Sequence, residues 1–276
     1  MSFSRKSVRR VVLYCVLIVG LVFFLFPVFW SITSSFKGPQ EILRLPPSFL
    51  PDELTNTANY AEVFRRTPFL RFMINSVLLC CTTVVISLFF SSLAGFGFAK
   101  YRFPFKEILF FGIIGVLMVP FHSVAVPLFI HLQRLRLVDT FAGLALPLMI
   151  SAFGVLLMRE GVSTIPDDYL DAARLDGCSE FRIYRTVILP MVKPSLAALA
   201  IIKFMWTWNE FFWPLLVITT PSKATVTLGI SYFTNVHFRE YHLIMPAAVL
   251  SMVPLFLLFI VLRKWMIEAL SGAGLK

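Results

Sequence analysis

Charge is scarce in this chain. Of its 276 residues, 14% are Asp, Glu, Lys or Arg, where a soluble domain carries about a quarter. Only 15 residues are acidic. Outside Asp167, Asp168 and Asp171, the aspartates Asp52, Asp139 and Asp176 form no second acidic cluster. Cysteine is equally sparing: Cys15, Cys80 and Cys81 lie in apolar stretches and Cys178 in a polar one. No C-x-x-C pair occurs, which excludes a disulfide framework and a zinc ribbon. His122, His131, His237 and His242 lack metal spacing such as H-E-x-x-H. No G-x-x-x-x-G-K-[ST] run is present, so the chain does not itself hold ATP in the P-loop manner. Internal repeats and low-complexity tracts are absent too.

What fills the chain is apolar: 58% hydrophobic residues and a mean hydropathy of +0.82. Crossing the hydrocarbon core takes about twenty apolar residues in a helix. Six windows qualify, at 11–31, 72–98, 107–130, 141–158, 196–218 and 243–263. They predict an all-α integral membrane protein of six transmembrane helices. Arg5, Lys6, Arg9 and Arg10 precede the first window as in a secretory signal. The apolar run Val11 to Trp30 is too long for a signal core and has no Ala-x-Ala exit, so it reads as a retained anchor. The net charge is +10, and its placement argues against nucleic acid. Of 25 Lys and Arg, 15 fall on the side that carries the N-terminus and 9 on the other. That bias predicts both termini, and the polar segment around Asp171, in the cytoplasm. The expected division is 1–71 (N-terminal segment, first span, outer loop), 72–264 (core, with a polar loop at 159–193) and a cytoplasmic tail at 265–276.

Pro39, Pro46, Pro47 and Pro51 break up the outer segment Ser31 to Arg71. Within it, Asn59 to Arg66 can form a short helix with Tyr60, Val63 and Phe64 on one face, or remain a solvated linker. Ser87, Ser91 and Gly95 make a small-residue stripe suited to close helix packing. Pro120, Pro127, Pro147, Pro214, Pro246 and Pro254 predict kinks, tolerated where neighbouring helices satisfy the freed carbonyls.

The polar segment between the fourth and fifth windows carries its own helix signals. Thr164-Ile165-Pro166-Asp167 has a capping-box-like shape, and Asp167 and Asp168 favour a helix start. A helix is expected from about Pro166 to Asp176, with Gly177 as a left-handed cap. Ser179 can cap a second helix through Arg185, punctuated by Pro190 and Pro194. Ala172 and Ala173 beside Asp171 suit close approach by another protein; a capped, solvated connector is the plainer alternative.

Asp171-Ala172-Ala173-x-x-Asp176-Gly177, then Leu189-Pro190 and Pro194, resembles the EAA signature of permease subunits of binding-protein-dependent ABC importers. The usual pattern has Glu at the position of Asp171, often Phe at Tyr184 and Ile at Val187. Pro27-Val28-Phe29-Trp30, Ser35-Phe36-Lys37, Asn75-Ser76, Tyr101-Arg102-Phe103-Pro104, Trp208-Asn209-Glu210-Phe211 and the tail from Ala269 are similar to the carbohydrate-type importers. Among those they are most like the maltose-permease G type. The resemblance implies the type I importer permease fold and no enzyme activity in this chain. It also implies a coupling helix lodged in a partner ATPase, carried here by Asp171, Ala172, Ala173, Asp176, Gly177, Leu189, Pro190 and Pro194. Ser271, Gly272, Ala273, Gly274 and Lys276 would reach between two cytoplasmic ATPase subunits, which hold the ATP and magnesium. The other implied partners are a second, different permease chain that forms a heterodimer with this one, and an extracytoplasmic sugar-binding protein. The implied location is a bacterial or archaeal cell membrane.

Glu210 is the carboxylate expected well inside a span, where a charge costs about 2.5–3.5 kcal/mol, so a bundle interior or watery path suits it. Lys203, seven residues earlier, can snorkel toward the interface. Trp208, Asn209, Glu210 and Phe211 offer ring faces and hydrogen-bonding groups fit for a sugar pathway; interhelical packing explains them equally simply. Two rivals differ in class. An ion-coupled carrier needs more intramembrane ionisable groups and commonly repeated halves. A prenyl-type transferase would use Asp167-Asp168-x-x-Asp171 on magnesium, but needs a converging second acidic set.

Overall fold

The computed structural model describes residues 5–234 and 239–273. Helices follow the apolar windows: α1 (Arg5–Ser34), α2 (Ala58–Arg66), α3 (Phe69–Lys100), α4 (Lys106–Gly115), α5 (Phe121–Arg134), α6 (Phe141–Met149) and α7 (Ala152–Ser163). Then come α8 (Asp168–Leu175), α9 (Glu180–Ile183), α10 (Leu189–Met191), α11 (Lys193–Trp208), α12 (Phe212–Val217), α13 (Val226–Ser231) and α14 (Tyr241–Ala273). Among the described residues no strand forms; Thr234 and Arg239 make an isolated antiparallel bridge.

Three helical stretches are long and apolar enough to cross a membrane unbroken: Val12–Ser34, Phe69–Lys100 and Tyr241–Val261. Three more candidates are bent pairs: Lys106–Met118 with Phe121–Arg134 (99°), Phe141–Met149 with Ala152–Ser163 (41°), and Glu180–Met191 with Lys193–Trp208 (78°). Among the described residues there are therefore three to six candidate spans, according to how the pairs count. Pro120 does break its window, whereas Pro127 and Pro147 sit inside α5 and α6. The second bend falls at Ile150–Ser151, where the Ser151 hydroxyl accepts from Gly154 N and starts α7. The window 196–218 is not one helix: α11 stops at Trp208 and α12 begins at Phe212.

The chain divides into two compact units. One comprises residues 1–69 and 230–253. In it Asn59 donates to the carbonyls of Ser35 and Lys37, and the buried Lys37 ammonium donates to Ser48 O and lies 4.4 Å from the Trp30 ring centroid. α2 buries Asn59 and Val63, one helical turn apart, while Phe64 stays exposed. Asn59 joins the buried side of α2 because it satisfies two loop carbonyls.

The other unit comprises 70–229 and 254–276. Ser87 and Ser91 are buried, Gly95 abuts Met158, and Gly154 faces the Ser91 hydroxyl. Gly161 in turn faces Ser195. Small residues thus let α7 lie close against both α3 and α11, the packing the stripe predicted.

Candidate functional site

The polar insert between α7 and α11 has two unlike faces. Its inward face, Leu170, Ile183, Tyr184 and Ile188, joins Phe96, Met158, Val162, Ile165, Val192 and Leu199 in one buried cluster. Each such large apolar side chain contributes roughly 1.5–3 kcal/mol on burial. Its outward face exposes Leu175 at 90%, Phe181 at 61% and Tyr169 at 53%. Three large side chains left exposed on one short polar segment mark it as a candidate interaction site.

Local signals place these faces. α8 starts at Asp168, two residues later than expected, and no side-chain capping box forms. Thr164 instead donates to Gly161 O at 2.9 Å, and the Asp167 carboxylate is taken by Lys100 at 2.6 Å. Gly177 has φ +74° as expected, and Asp176, Gly177 and Cys178 amides donate back to Ala172, Arg174 and Ala173 carbonyls, each at 3.0 Å. The expected helix through Arg185 is replaced: α9 ends at Ile183 and a π turn covers Tyr184–Ile188, with no side-chain cap from Ser179. The wider turn brings Tyr184 and Ile188 into the buried cluster.

A polar network ties the insert to the C-terminal end of α3. Lys100 also donates to Ile165 O, and the Tyr101 hydroxyl donates to Glu180. Arg174 donates from Nε to Glu180 at 2.9 Å and from Nη1 to Asp171 at 3.0 Å. The hydroxyls of Ser92 and Tyr184 lie 2.7 Å apart, and the Phe96 ring packs on both Tyr101 and Tyr184. Arg174 first, then Tyr101, holds the Glu180 carboxyl below its usual range. Burial, with Glu180 beside it, pushes Tyr101 up to about 12. Lys100 lowers Asp167 in the same way. Asp167 and Asp171 are thus turned to different cations, so the D-D-x-x-D run does not converge on one point.

The sequence-predicted residues divide between these faces. Asp171, Ala172, Asp176, Gly177 and Pro190 are exposed; Ala173 and Leu189 pack against the buried cluster, and Pro194 is half-buried in the first turn of α11. Ser271, Gly272 and Ala273 end α14, while Gly274 and Lys276 lie outside the described residues. Leu175, Phe181, Lys100, Tyr101 and Glu180 were not anticipated. Leu175 had a readable signal: five residues from Leu170 is about 140° around a helix, away from the buried side.

The second predicted set lies at a helix break. Trp208 is buried and stacked on Phe204 at 5.6 Å, and exposed Asn209 donates to Met205 O at 2.8 Å. Half-buried Glu210 accepts from the Trp213 amide at 3.0 Å and so satisfies the first turn of α12. Phe211 is exposed. Lys203 is buried, not extended toward an interface. The break at Pro120 lies alongside: the His122 ring is 4.5 Å from Phe212, and Phe121 is 5.6 Å from Trp213. Among the described residues no group of His, Cys, Asp or Glu could hold a metal.

Residues 87–272, which include the insert and both breaks, match the family described as "Binding-protein-dependent transport system inner membrane component". The chain belongs to this family. It is 31% identical to the arabinooligosaccharides transport system permease protein AraQ of Bacillus subtilis, over 98% of this chain and 97% of the relative. It is 30% identical to the sn-glycerol-3-phosphate transport system permease protein UgpE of Agrobacterium fabrum, over 97% and 98%. The lactose transport system permease protein LacG of Rhizobium radiobacter shares 28% over 99% of each chain. The fold matches a chain in the crystal structure of a bacterial ABC transporter that imports alginate, with a TM-score of 0.82 and 20% identity over 96% of this chain and 99% of that one. The protein is a membrane-spanning permease of the ABC importer class. Non-helical backbone inside an apolar window is tolerated where it is buried in protein or lines a water-filled cavity.

Proposed function

We propose that this permease subunit carries a carbohydrate or polyol derivative and draws its work from separate ATPase subunits that dock on the polar insert. The substrate class is supported by the relatives, whose names specify arabinooligosaccharides, lactose and sn-glycerol-3-phosphate. The observation that carries the coupling role is the exposed trio Leu175, Phe181 and Tyr169, beside Asp171 and Asp176, on a segment whose other face is locked into the core. In the full assembly the chain pairs with a second, different permease chain, receives cargo from an extracytoplasmic binding protein, and spans a bacterial or archaeal cell membrane six times with both termini in the cytoplasm. Closure of the ATPases moves the insert and switches the bundle between two packings, each favoured by one nucleotide state. The tail Ser271, Gly272, Ala273, Gly274 and Lys276 reaches between the ATPases, and Trp208, Asn209, Glu210 and Phe211 border the cargo path.

The test is co-purification and transport. Leu175→Asp should insert at wild-type level yet lose the co-purifying ATPase, and Asp171→Ala should lose ATP-dependent uptake of labelled arabinooligosaccharide or lactose. Wild-type ATPase association in the first variant and wild-type uptake in the second would reject the docking assignment.

A further inference from the structure

Lys100 and Tyr101, at the C-terminal end of α3, bond to partners 67 and 79 residues away, Asp167 and Glu180. Lys100 is nearly buried with its side chain 6% exposed, while Asp167 is 75% exposed. A third tie lies deeper, between the buried Ser92 and Tyr184 hydroxyls. These contacts meet the insert at the start of α8, the start of α9 and the residue that follows α9. One contact leaves a pivot; three spread over two short helices do not.

The junction with α11 is built differently. A π turn covers Tyr184–Ile188, Pro190 and Pro194 flank Val192, and the axes on either side meet at 78°. Prolines remove amide donors and a π turn loosens the regular ladder, so this joint has fewer constraints against bending.

We propose that Lys100, Tyr101, Glu180, Ser92 and Tyr184 are positioning residues that clamp the insert to α3, so that a push on the insert displaces α3 directly while the α11 joint bends. The proposal rests on the reading that an ATPase docks on the insert. Arg174 completes the path, because it touches both Asp171 on the exposed face and Glu180 in the clamp. The insert and α3 then move as one body, and the energy of docking reaches the membrane through α3 first.

The test uses the intact complex in liposomes with its binding protein, and reads the ratio of binding-protein-stimulated to basal ATP hydrolysis. The Lys100→Met/Glu180→Gln chain should keep its ATPase and lose stimulation by about fivefold or more, the low end of ordinary coupling between sites. Lys100→Arg, which keeps a cation able to donate to both Asp167 and the Ile165 carbonyl, should keep most of the ratio. A wild-type ratio in the double variant overturns the clamp. Should that chain fail to assemble, Tyr101→Phe, which removes one hydroxyl, is read in the same way: a lowered ratio supports the clamp and an unchanged ratio overturns it. Leu175→Asp separates the two ideas. If the ATPase stays bound to it, the docking reading fails; if the ATPase is released while the clamp variants keep the wild-type ratio, only the clamp fails.

Discussion

Gly95 of α3 lies against Met158 of α7 so closely that a Cβ on the glycine would stand 2.6 Å from the Met158 Cβ and 2.7 Å from its carbonyl carbon. Backbone cannot yield as a side-chain tip does. Gly95→Ala therefore forces the two helices apart and should cost about 1–3 kcal/mol, the range for overpacking a tight core. Gly97, two residues on, has open space around the same position. Gly97→Ala should be neutral or raise stability by about 0.5–1 kcal/mol through helix propensity. Thermal unfolding in detergent compares the pair, and equal melting temperatures would contradict the close approach.

Gly177 poses the opposite case, with nothing within 4 Å of a built Cβ but φ at +74°. Any penalty for Gly177→Ala is thus conformational, about 1–2 kcal/mol for an L residue held left-handed. Gly177→Asn should cost less, since Asn tolerates that region. The readout is amide hydrogen exchange at the end of α8, where Asp176 and Cys178 donate to Ala172 and Ala173. Faster exchange in the Ala variant than in the Asn variant is expected; the reverse order would mean that the turn does not need a left-handed residue.

These two glycines also show what was readable in advance. The Ser87–Ser91–Gly95 stripe and the Asp176-Gly177 stop were legible because close packing and left-handed caps both select small residues locally. Three of the apolar windows, the first, second and sixth, were legible as unbroken helices, because the bilayer imposes their length. Helix breaks were less so. Of the six prolines expected to kink spans only Pro120 stands at a break, and the break at Asn209–Phe211 has neither proline nor glycine to announce it. Its Asn-Glu pair is polar enough to attract a pathway reading, while the visible job of Glu210 is to receive the Trp213 amide. The clamp was illegible for a different reason. Lys100 and Asp167 sit 67 residues apart, and nothing local records which helix end faces which loop.

Asp139 makes a pH-dependent latch between two loops of its unit. Its carboxylate accepts from the Thr219 and Thr220 amides, the Thr220 hydroxyl and the Lys223 ammonium. Lys223 first, then Thr220, holds the carboxyl well below the ordinary aspartate value. A lowered folded-state pKa means stability that is fully present above the unfolded value, near pH 4, and is lost as pH falls through the lowered value. Asp139→Asn should therefore lower the melting temperature by a constant amount between about pH 5 and 8, and the gap should close in stronger acid. A gap that instead widens as pH falls below 4 would mean that the carboxylate is not the form that holds the latch.

Glu210 separates charge from hydrogen bonding. Its side chain accepts from Trp213 N at 3.0 Å, and Trp213 is fully buried, so that amide has no access to solvent as a substitute. Removing the acceptor by Glu210→Ala should cost about 0.5–2 kcal/mol, as for loss of other first-turn acceptors. Glu210→Gln keeps an oxygen at the same reach and loses only the favourable pairing of a negative charge with the helix start, about 0.3–1 kcal/mol. Melting temperatures should therefore fall in the order wild type, Gln, Ala. Equal losses in Gln and Ala would assign the stabilisation to the charge. A wild-type melting temperature in both would leave α12 starting without help from this carboxylate, and Glu210 would then be freed for a role in the cargo path alone.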